Sequence, residues 1–208
     1  MSVSVPASVP TPLPLPSGGW LVVAVVAGFL IGAVSPATII ARVRKADLTQ
    51  GSGNPGATNT GRLLGLRWGV VVGVVDVLKG LVPTLVALWW LGRPAAYAVG
   101  LACVLGHVLS PYLRGRGGKG VATSLGAILA VFPAIALALV VLFGLIVWRT
   151  RWVAGASLSA AVALALWAAF GPLPEPVVLG RLWGLAVALL IIGRHQRNIR
   201  LWLHQRSR

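Results

Sequence analysis

Acidic side chains are almost absent from the sequence: Asp47, Asp76 and Glu175 stand against 18 lysines and arginines. Charged residues of both signs make up 10% of the 208 residues, whereas a soluble domain carries about a quarter. Hydrophobic residues make up 57% of the chain, which leaves too little polar surface to cover a water-exposed globule. Several apolar stretches reach the roughly 20 residues needed to cross a bilayer. We therefore predict an integral membrane protein.

Cysteine and carboxylate pairs are also scarce, and this excludes several kinds of chemistry. Cys103 is the only cysteine, so no intrachain disulfide can form, and the cysteine and histidine spacings of zinc sites are missing. Three acidic residues in the whole chain make a Ser-His-Asp triad a poor prediction. The sequence gives no reason to invoke a metal or an organic cofactor.

The hydrophobic pattern predicts an all-α membrane domain of seven transmembrane helices. Their expected bounds are 20–41, 68–91, 95–113, 121–131, 134–148, 153–170 and 178–193, with Pro133 dividing the fourth from the fifth. A five-span arrangement, with 121–148 as one helix or a re-entrant segment, is the alternative. Residues 1–19 are uncharged and rich in proline, which indicates an extended extracytoplasmic tail. Residues 20–203 form the predicted single domain, and 204–208 a basic tail.

The lysines and arginines are distributed unequally between the two sides of this arrangement. With the N-terminus outside, fifteen of the 18 fall on the inner side, Arg93 and Arg181 fall outside, and Lys79 lies within a span. Cytoplasmic loops carry such an excess, so the C-terminus is predicted to be cytoplasmic. The net charge of +15 would indicate nucleic-acid binding in a soluble protein, but no aromatic residues are interleaved with these charges. We predict no nucleic-acid partner.

A glycine-rich polar loop follows the first predicted span. It matches G-x-G-x-x-G, but no strand precedes it, so the dinucleotide-binding interpretation fails. Closely spaced glycines let backbone N–H groups form an anion-binding nest, and a helix starting near Thr60 would add its N-terminus. A flexible linker is the alternative. The predicted phosphate-binding residues here are Gly51, Ser52, Gly53, Asn54, Gly56, Ala57, Thr58, Asn59 and Arg62.

A second glycine-rich loop, 114–120, reads R-G-R-G-G-K-G. It is not a P-loop, because Gly120 stands where Ser or Thr should bind magnesium. An ordinary positive-inside loop would explain its charges but not four glycines in seven residues. We predict that it also binds phosphate, through Gly117, Gly118, Lys119, Gly120 and the following Thr123.

Further polar residues lie after the last span or inside the membrane. His195 and Asn198 are three apart, so on a helix they share a face that could hold a polar substrate. Asp76 and Lys79 are one helical turn apart, and mutual neutralisation and a role in catalysis are both open. His107, inside its span, is more typical of a structural histidine. Ser35-Pro36 predicts a helix irregularity that exposes the Ser35 hydroxyl.

Four motifs occur in a fixed order: G-S-G-N-P-G-A-T-N at 51–59, G-H at 106–107, G-G-K-G-V-A-T at 117–123, and His195-x-x-Asn198-Ile199. Together they resemble the bacterial acyl-phosphate:glycerol-3-phosphate acyltransferases, the PlsY family, over about residues 28–203. Two positions depart from the family pattern. The segment before the first loop reads Asp47-Leu48-Thr49-Gln50, so the arginine often found there is missing or is replaced by Arg42, Arg44 or Lys45. A late glutamate is also missing from the tail.

The resemblance implies an enzyme of the first step of phospholipid synthesis. Such an enzyme lies in the bacterial plasma membrane, with seven helices and its site facing the cytoplasm. It transfers an acyl chain from acyl phosphate to position 1 of glycerol 3-phosphate, giving lysophosphatidic acid and phosphate. The implied partners are those two substrates and membrane lipids. Ser35, His195 and Asn198 match catalytic positions, and Asp76, Lys79 and His107 remain candidates for support.

Direct attack of the glycerol hydroxyl on the acyl carbonyl is the expected mechanism, because acyl phosphate is already activated. The enzyme then mainly positions its substrates and stabilises charge. Two alternatives remain open. A transporter of a phosphorylated anion would also use basic loops, although these lie on one predicted side only. A non-catalytic member of the family would fit the missing arginine.

Overall fold

The computed structural model describes residues 18–206, and all regular structure in that part of the chain is helical. The helices are α1 (Gly18–Ala33), α2 (Pro36–Val43), α3 (Ala57–Leu64), α4 (Leu66–Leu91), α5 (Arg93–Leu109), α6 (Val121–Val131), α7 (Pro133–Thr150), α8 (Val153–Phe170), α9 (Val177–Arg194) and α10 (Gln196–Arg206). A 3₁₀ turn, Pro111–Leu113, follows α5. Most of the predicted N-terminal tail, 1–17, lies outside the described residues.

Six segments within residues 18–206 are long and apolar enough to cross a membrane. They are Gly18–Val43, Leu66–Leu91, Arg93–Leu113, Pro133–Thr150, Val153–Phe170 and Val177–Arg194. The predicted all-helical membrane architecture is therefore confirmed. Helix α6 has 11 residues, so at 1.5 Å per residue it is about 16 Å long, roughly half of the hydrocarbon core.

The segment 121–148 divides as the proline predicts. Helix α6 ends at Val131, Phe132 adopts φ −140° and ψ 66°, and α7 starts at Pro133. Proline has no N–H to donate and its ring clashes with the preceding turn, so a continuous helix cannot pass through it without cost. The short helix and the fuller helix are confirmed, and the alternative of one unbroken helix is wrong.

The first predicted span, 20–41, is not one helix. The chain breaks at Val34–Ser35, and Ser35 caps α2, its hydroxyl accepting a hydrogen bond from the Thr38 N–H at 3.3 Å. The break frees two carbonyl groups inside the membrane domain. Ser110 donates to Ala33 O at 2.7 Å, and Lys79 Nζ donates to Val34 O at 2.7 Å. The helix irregularity predicted at Ser35-Pro36 is confirmed, and side chains of α4 and the α5 end satisfy it.

Glycine lets the helices approach each other closely around this break. An added Cβ at Gly106 of α5 would lie 2.0 Å from Phe29 O of α1, and one at Gly80 of α4 would lie 2.0 Å from Thr123 O of α6. Helices in a membrane are held together mainly by van der Waals packing, since lipid is as apolar as the helices, and small residues allow the backbones to pack closely. The crossings of α1 with α5 and of α4 with α6 therefore fix where the second glycine loop, which precedes α6, must lie.

The last residues that the structure describes form a helix. After α9 the backbone turns at His195, and α10 runs from Gln196 to Arg206. Trp202 of α10 stacks on Trp152, the residue before α8, with ring centroids 5.8 Å apart. Residues 204–206, expected to begin a separate basic tail, are thus part of α10.

Candidate active site

One cavity of about 500 Å³ collects both glycine-rich loops and the start of α10. Its polar end is lined by Ser52, Asn54, Gly56, Ala57, Thr58, Asn59, Arg62, Asp76, His107, Lys119, Gly120, Ser124, Ser157, His195 and Asn198. Its apolar arm runs between α6, α7 and α8, lined by Val121, Ala122, Leu125, Ile128, Leu139, Val140, Phe143, Val153, Ala154, Ala160, Ala161 and Leu164, with Trp152 beside its entrance. Pockets of this size with a few convergent polar groups are typical of ligand sites.

The first loop is shaped by left-handed glycines and held by one buried asparagine. Gly51 and Gly53 both adopt φ +67°, which costs glycine nothing and other residues more. The Asn59 amide donates to Leu48 O at 3.0 Å and to Gln50 O at 3.2 Å, and its Oδ1 accepts from the Ser52 N–H at 3.0 Å. Asn59 is predicted to donate to phosphate, but in the structure its side-chain N–H groups donate to backbone carbonyls of the loop.

The helix after this loop starts at Ala57, three residues earlier than expected. Gly56 is its N-cap, and Thr60 donates the first intrahelical bond, to Gly56 O at 3.0 Å. The N–H groups of residues 57–59 precede that bond, so they have no intrahelical partner. Ala57 and Thr58 line the cavity. The helix N-terminus therefore offers backbone donors and a favourable dipole to an anion there.

The second loop uses its glycines to pack against the end of α5. Gly117 N–H donates to Val108 O and Gly118 N–H to His107 O, both at 3.1 Å. An added Cβ would lie 2.0 Å from His107 O at Gly117 and 2.1 Å from His107 Nε2 at Gly118. These glycines do not line the cavity, and they carry Lys119 and Gly120, which do.

Lys119 lies at the centre of a cluster of positive charge. Its Nζ donates to Asn198 Oδ1 at 2.7 Å. Arg194, at the end of α9, donates to Gly117 O at 3.1 Å, and Arg197, at the start of α10, donates to Ser52 O at 3.4 Å. The two arginines thus connect the junction of α9 and α10 to both loops. Burial, and then the charges of Arg62 and these two arginines, hold the pKa of Lys119 below its usual range. An anion bound here would relieve that repulsion.

His195 is buried beside this cluster with a fixed orientation. Its ring is 1% exposed, and Nδ1 lies 2.8 Å from Ile191 O. A carbonyl oxygen only accepts, so Nδ1 carries the proton and Nε2 keeps its lone pair. Burial lowers the pKa of His195 more than this hydrogen bond raises it, and nearby Lys119 lowers it further. The ring is therefore neutral at pH 7 and its free nitrogen can accept a proton.

Three ionisable side chains meet inside the membrane domain at the inner edge of the cavity. Lys79 Nζ lies 2.8 Å from Asp76 Oδ1, and His107 Nδ1 lies 3.6 Å from the same oxygen. Asp76 and His107 line the cavity. Lys79 does not line it, and its Nζ also donates to the Val34 carbonyl. The predicted pairing of Asp76 with Lys79 is present. Such a pair reduces the cost of burying either charge.

A family model described as glycerol-3-phosphate acyltransferase matches residues 22–205 of the chain. The chain belongs to the glycerol-3-phosphate acyltransferase family. It is 38% identical over 179 residues to the relative of that name from Aquifex aeolicus, covering 84% of this chain and 91% of the relative. It is 43% identical over 188 residues to that from an Anaeromyxobacter species, covering 86% and 90%. The resemblance to this family is confirmed.

Solved structures of the same family share the fold. A crystal structure of PlsY, an integral membrane glycerol 3-phosphate acyltransferase in its glycerol 3-phosphate form, matches with a TM-score of 0.84 and 37% identity. It covers 90% of this chain and 94% of that one. The lysophosphatidic acid form of PlsY matches with a TM-score of 0.82 and 36% identity.

The structure brings most of the predicted family motifs to one cavity, with some exceptions. Gly51, Gly53, Gly117, Gly118 and Thr123 do not line it; they shape the loops or lie in helix contacts. Ser35 also lies off the cavity, with its hydroxyl 3.0 Å from Thr38 Oγ1.

Some residues that line the cavity were not predicted from the sequence. Ser157 lies in α8 and donates to Val153 O at 3.0 Å. A small polar residue in an apolar span was a usable signal for it. The aliphatic residues of the apolar arm carried no such signal, because any membrane helix contains them.

Proposed function

We propose that this protein transfers the acyl chain of an acyl phosphate to position 1 of glycerol 3-phosphate, giving lysophosphatidic acid and inorganic phosphate. One observation carries the proposal: a single cavity joins two glycine-rich loops, with the donors and positive charge around them, to an apolar arm between helices. A phosphorylated acceptor and an acyl donor need such a combination, and a reaction between them needs both in one place. The names of the relatives and of the solved neighbours support the acceptor and the lipid product.

The two phosphate groups would bind at different parts of the polar end. We assign the acyl phosphate headgroup to the first loop, where the α3 N-terminus and Thr58 offer donors. We assign the phosphate of glycerol 3-phosphate to Lys119 and the arginines around it. The acyl chain would then extend from the headgroup into the apolar arm, which removes its surface from water without displacing the polar groups.

The chemical step follows from these positions. The glycerol hydroxyl oxygen attacks the acyl carbonyl carbon, the new ester C–O bond forms, and the bond to the phosphate oxygen breaks, releasing phosphate. His195 Nε2 is the proposed acceptor of the hydroxyl proton, with the leaving phosphate as the alternative. Asn198, held by Lys119, would orient the hydroxyl or the carbonyl. Ser35 acts as a positioning residue, because it caps α2 next to the carbonyl that Lys79 binds.

We further propose seven crossings of the bacterial plasma membrane, with the N-terminus outside and the cavity's polar end in the cytoplasm. Helix α6 would complete the seventh crossing together with the loop 114–120, which folds against the end of α5. The excess of Lys and Arg on that side supports this orientation. Cysteine labelling tests this orientation. In an Arg149→Cys variant made in a Cys103→Ala background, the single thiol should react only with a reagent that enters the cytoplasm.

The activity is tested with purified, detergent-solubilised protein given an acyl phosphate, with and without glycerol 3-phosphate. Phosphate release that depends on glycerol 3-phosphate and equals lysophosphatidic acid formed is the expected result. Folded protein that binds phosphate without turnover would indicate a non-catalytic family member. Uptake of glycerol 3-phosphate into sealed vesicles, without product, would indicate the transporter. Either of these outcomes would contradict the proposal.

A His195→Ala variant tests the proton acceptor separately. Loss of a general base lowers the rate by about 10²–10⁴-fold. Near-normal turnover of the variant would instead assign the proton to the leaving phosphate and leave the rest of the proposal standing.

A further inference from the structure

Exposed positive charge gathers where the first two membrane-crossing segments reach the side of the first glycine-rich loop. The segment Gly18–Val43 ends at Val43, and the segment Leu66–Leu91 begins at Leu66. Helices α2 and α4, which contain these two residues, pack against each other. Four exposed cations lie at or directly outside the two ends, and we call them the basic corner: Arg42, Arg44, Lys45 and Arg67.

Two members of the basic corner share one aromatic ring. The guanidinium carbon Cζ of Arg44 lies 5.0 Å from the centroid of the Trp68 ring, and that of Arg67 lies 6.0 Å from it. An indole ring attracts cations through its electron-rich faces, and a planar guanidinium group stacks well on it. Trp68 therefore holds two like charges beside each other in spite of their repulsion.

No carboxylate within residues 18–206 is paired with these charges. Asp47 accepts from the Thr49 N–H at 2.8 Å and from Thr49 Oγ1 at 2.7 Å. Asp76 takes part in both ion pairs of that part of the chain, and neither of them involves an arginine. Glu175 accepts from the Val177 N–H at 3.0 Å. An anion from outside the chain can therefore neutralise the basic corner.

The basic corner is separate from the cavity that we assign to the substrates. None of its four cations lines that cavity, and neither does Trp68. Arg44 is one of the cations that could replace the arginine missing before the first loop, but its guanidinium group lies over Trp68. An anion bound at this ring is therefore a ligand in addition to the two substrates.

The apolar neighbours of the two arginines indicate which kind of anion fits. Val43 is 77% exposed and Leu66 is 80% exposed, and each is the last residue of its segment on this side. In a membrane both side chains contact hydrocarbon, while Arg44 and Arg67, one position farther out, lie at the level of the lipid headgroups. A soluble phosphate would use only the charges, whereas a phospholipid would also cover the two apolar side chains.

We propose that Arg44 and Arg67, held over Trp68, bind the phosphate of an anionic phospholipid in the leaflet next to the polar end of the cavity. Guanidinium groups match phosphate oxygens with parallel hydrogen bonds. Basic residues directly beside a span on the cytoplasmic side are typical of anionic-lipid recognition. The four positive charges favour a headgroup with net negative charge over a zwitterionic one. The site does not depend on the transfer reaction, because it shares no residue with the cavity.

Native mass spectrometry of the purified protein in mild detergent tests this site. The protein is titrated with phosphatidylglycerol or phosphatidylcholine, and the fraction that retains one lipid gives an apparent Kd. The wild type should bind phosphatidylglycerol more tightly than phosphatidylcholine. Arg67→Gln should weaken phosphatidylglycerol binding about five-fold, since one basic residue at an anionic lipid surface contributes about that factor.

Trp68→Leu separates a built site from diffuse attraction between charges. This variant keeps every cation of the basic corner but removes the ring that holds Arg44 and Arg67 together. It should also weaken phosphatidylglycerol binding, although the net charge is unchanged. Thermal unfolding in detergent shows whether each variant is folded. Arg67 is exposed, so its substitution keeps the inference testable if Trp68→Leu does not fold.

Arg149→Gln is the matched control. It removes one exposed charge at the end of a different segment, Pro133–Thr150, so its apparent Kd should stay within about two-fold of the wild-type value. Equal weakening by Arg67→Gln and Arg149→Gln would overturn the inference, because any surface charge would then serve. Equal Kd values of the wild type for the two lipids would also overturn it. Displacement of phosphatidylglycerol by an equal concentration of inorganic phosphate would do the same, since the basic corner would then bind soluble anions.

Discussion

The two glycine-rich loops face the same cavity but use glycine for different physical reasons. In the first loop Gly51 and Gly53 take left-handed backbone angles, and the loop presents backbone groups next to a helix N-terminus. In the second, Gly117 and Gly118 let the chain lie against the end of α5. That loop brings a single ammonium group, on Lys119, into the cavity. Glycine enrichment thus serves one loop that presents several backbone donors and another loop that carries one half-buried charge into the cavity.

Removal of that charge should have the largest effect among changes within the two loops. Lys119→Met takes away the cation to which we assign the phosphate of glycerol 3-phosphate and which donates a hydrogen bond to Asn198. Loss of one pre-positioned donor to a charged group lowers turnover by about 10²–10³-fold. Arg149→Met, at an exposed cation outside both loops, should change the rate less than two-fold by comparison. Steady-state assays of both variants measure the two rates. A Lys119→Met rate within a few-fold of the wild type would contradict the assignment of the phosphate-binding charge to the second loop.

Filling the contact between the second loop and α5 should come next. The Cβ of Gly117→Ala would meet the His107 carbonyl oxygen, which is backbone and cannot swing away. We expect about 2–3 kcal/mol of lost stability, visible as a lower melting temperature in detergent. Gly144→Ala is the control, since a Cβ there meets nothing within 4 Å and alanine favours the helix. Equal melting temperatures for the two variants would show that the second loop is not packed as described.

The first loop should respond to a change at Asn59, the buried side chain that holds it by hydrogen bonds. Asn59→Asp keeps the shape and the acceptor for the Ser52 N–H but cannot donate to the carbonyls of Leu48 and Gln50. Backbone amides of residues 48–52 should then exchange with solvent about ten-fold faster without substrate, since each lost bond contributes about 1 kcal/mol. Hydrogen exchange with mass detection measures this. Unchanged exchange together with lost activity would make Asn59 a direct phosphate ligand instead.

The dependence on pH should be the smallest effect near neutrality. Burial holds the pKa of His195 below 6.5, so the neutral ring prevails at pH 7 and the rate should be flat between about pH 6.5 and 8. The rate should fall on further acidification. The unfolded chain binds this proton at higher pH than the folded chain does, so the free energy of unfolding also falls as the pH drops below 6.5. An acid midpoint of kcat/KM above 6.5 would contradict this environment for His195.

Sequence patterns predicted the architecture well where local chemistry decides it. The lengths of the apolar stretches predicted the membrane helices. Pro133 and Pro36 predicted the two breaks, because proline disrupts the helix in the turn that precedes it. The motif order gave the family. The positions of His195 and Lys119 at one cavity also followed from their motifs.

Contacts between distant parts of the chain could not be predicted. Lys79 satisfies a carbonyl freed 45 positions earlier, and Arg194 reaches Gly117 across 77 positions. Nothing in the local pattern around Asn59 showed that its amide is consumed by Leu48 and Gln50. The lining of the apolar arm likewise depends on how α6, α7 and α8 cross, and all three helices have similar aliphatic composition.

The most direct test of the account is an experimental structure of the protein with glycerol 3-phosphate bound. We expect a phosphate oxygen within about 3 Å of Lys119 Nζ, with the glycerol hydroxyl toward His195 and the first loop left for the second substrate. A phosphate seated on the first loop at residues 52–58, with Lys119 out of reach, would contradict the division of labour between the two loops.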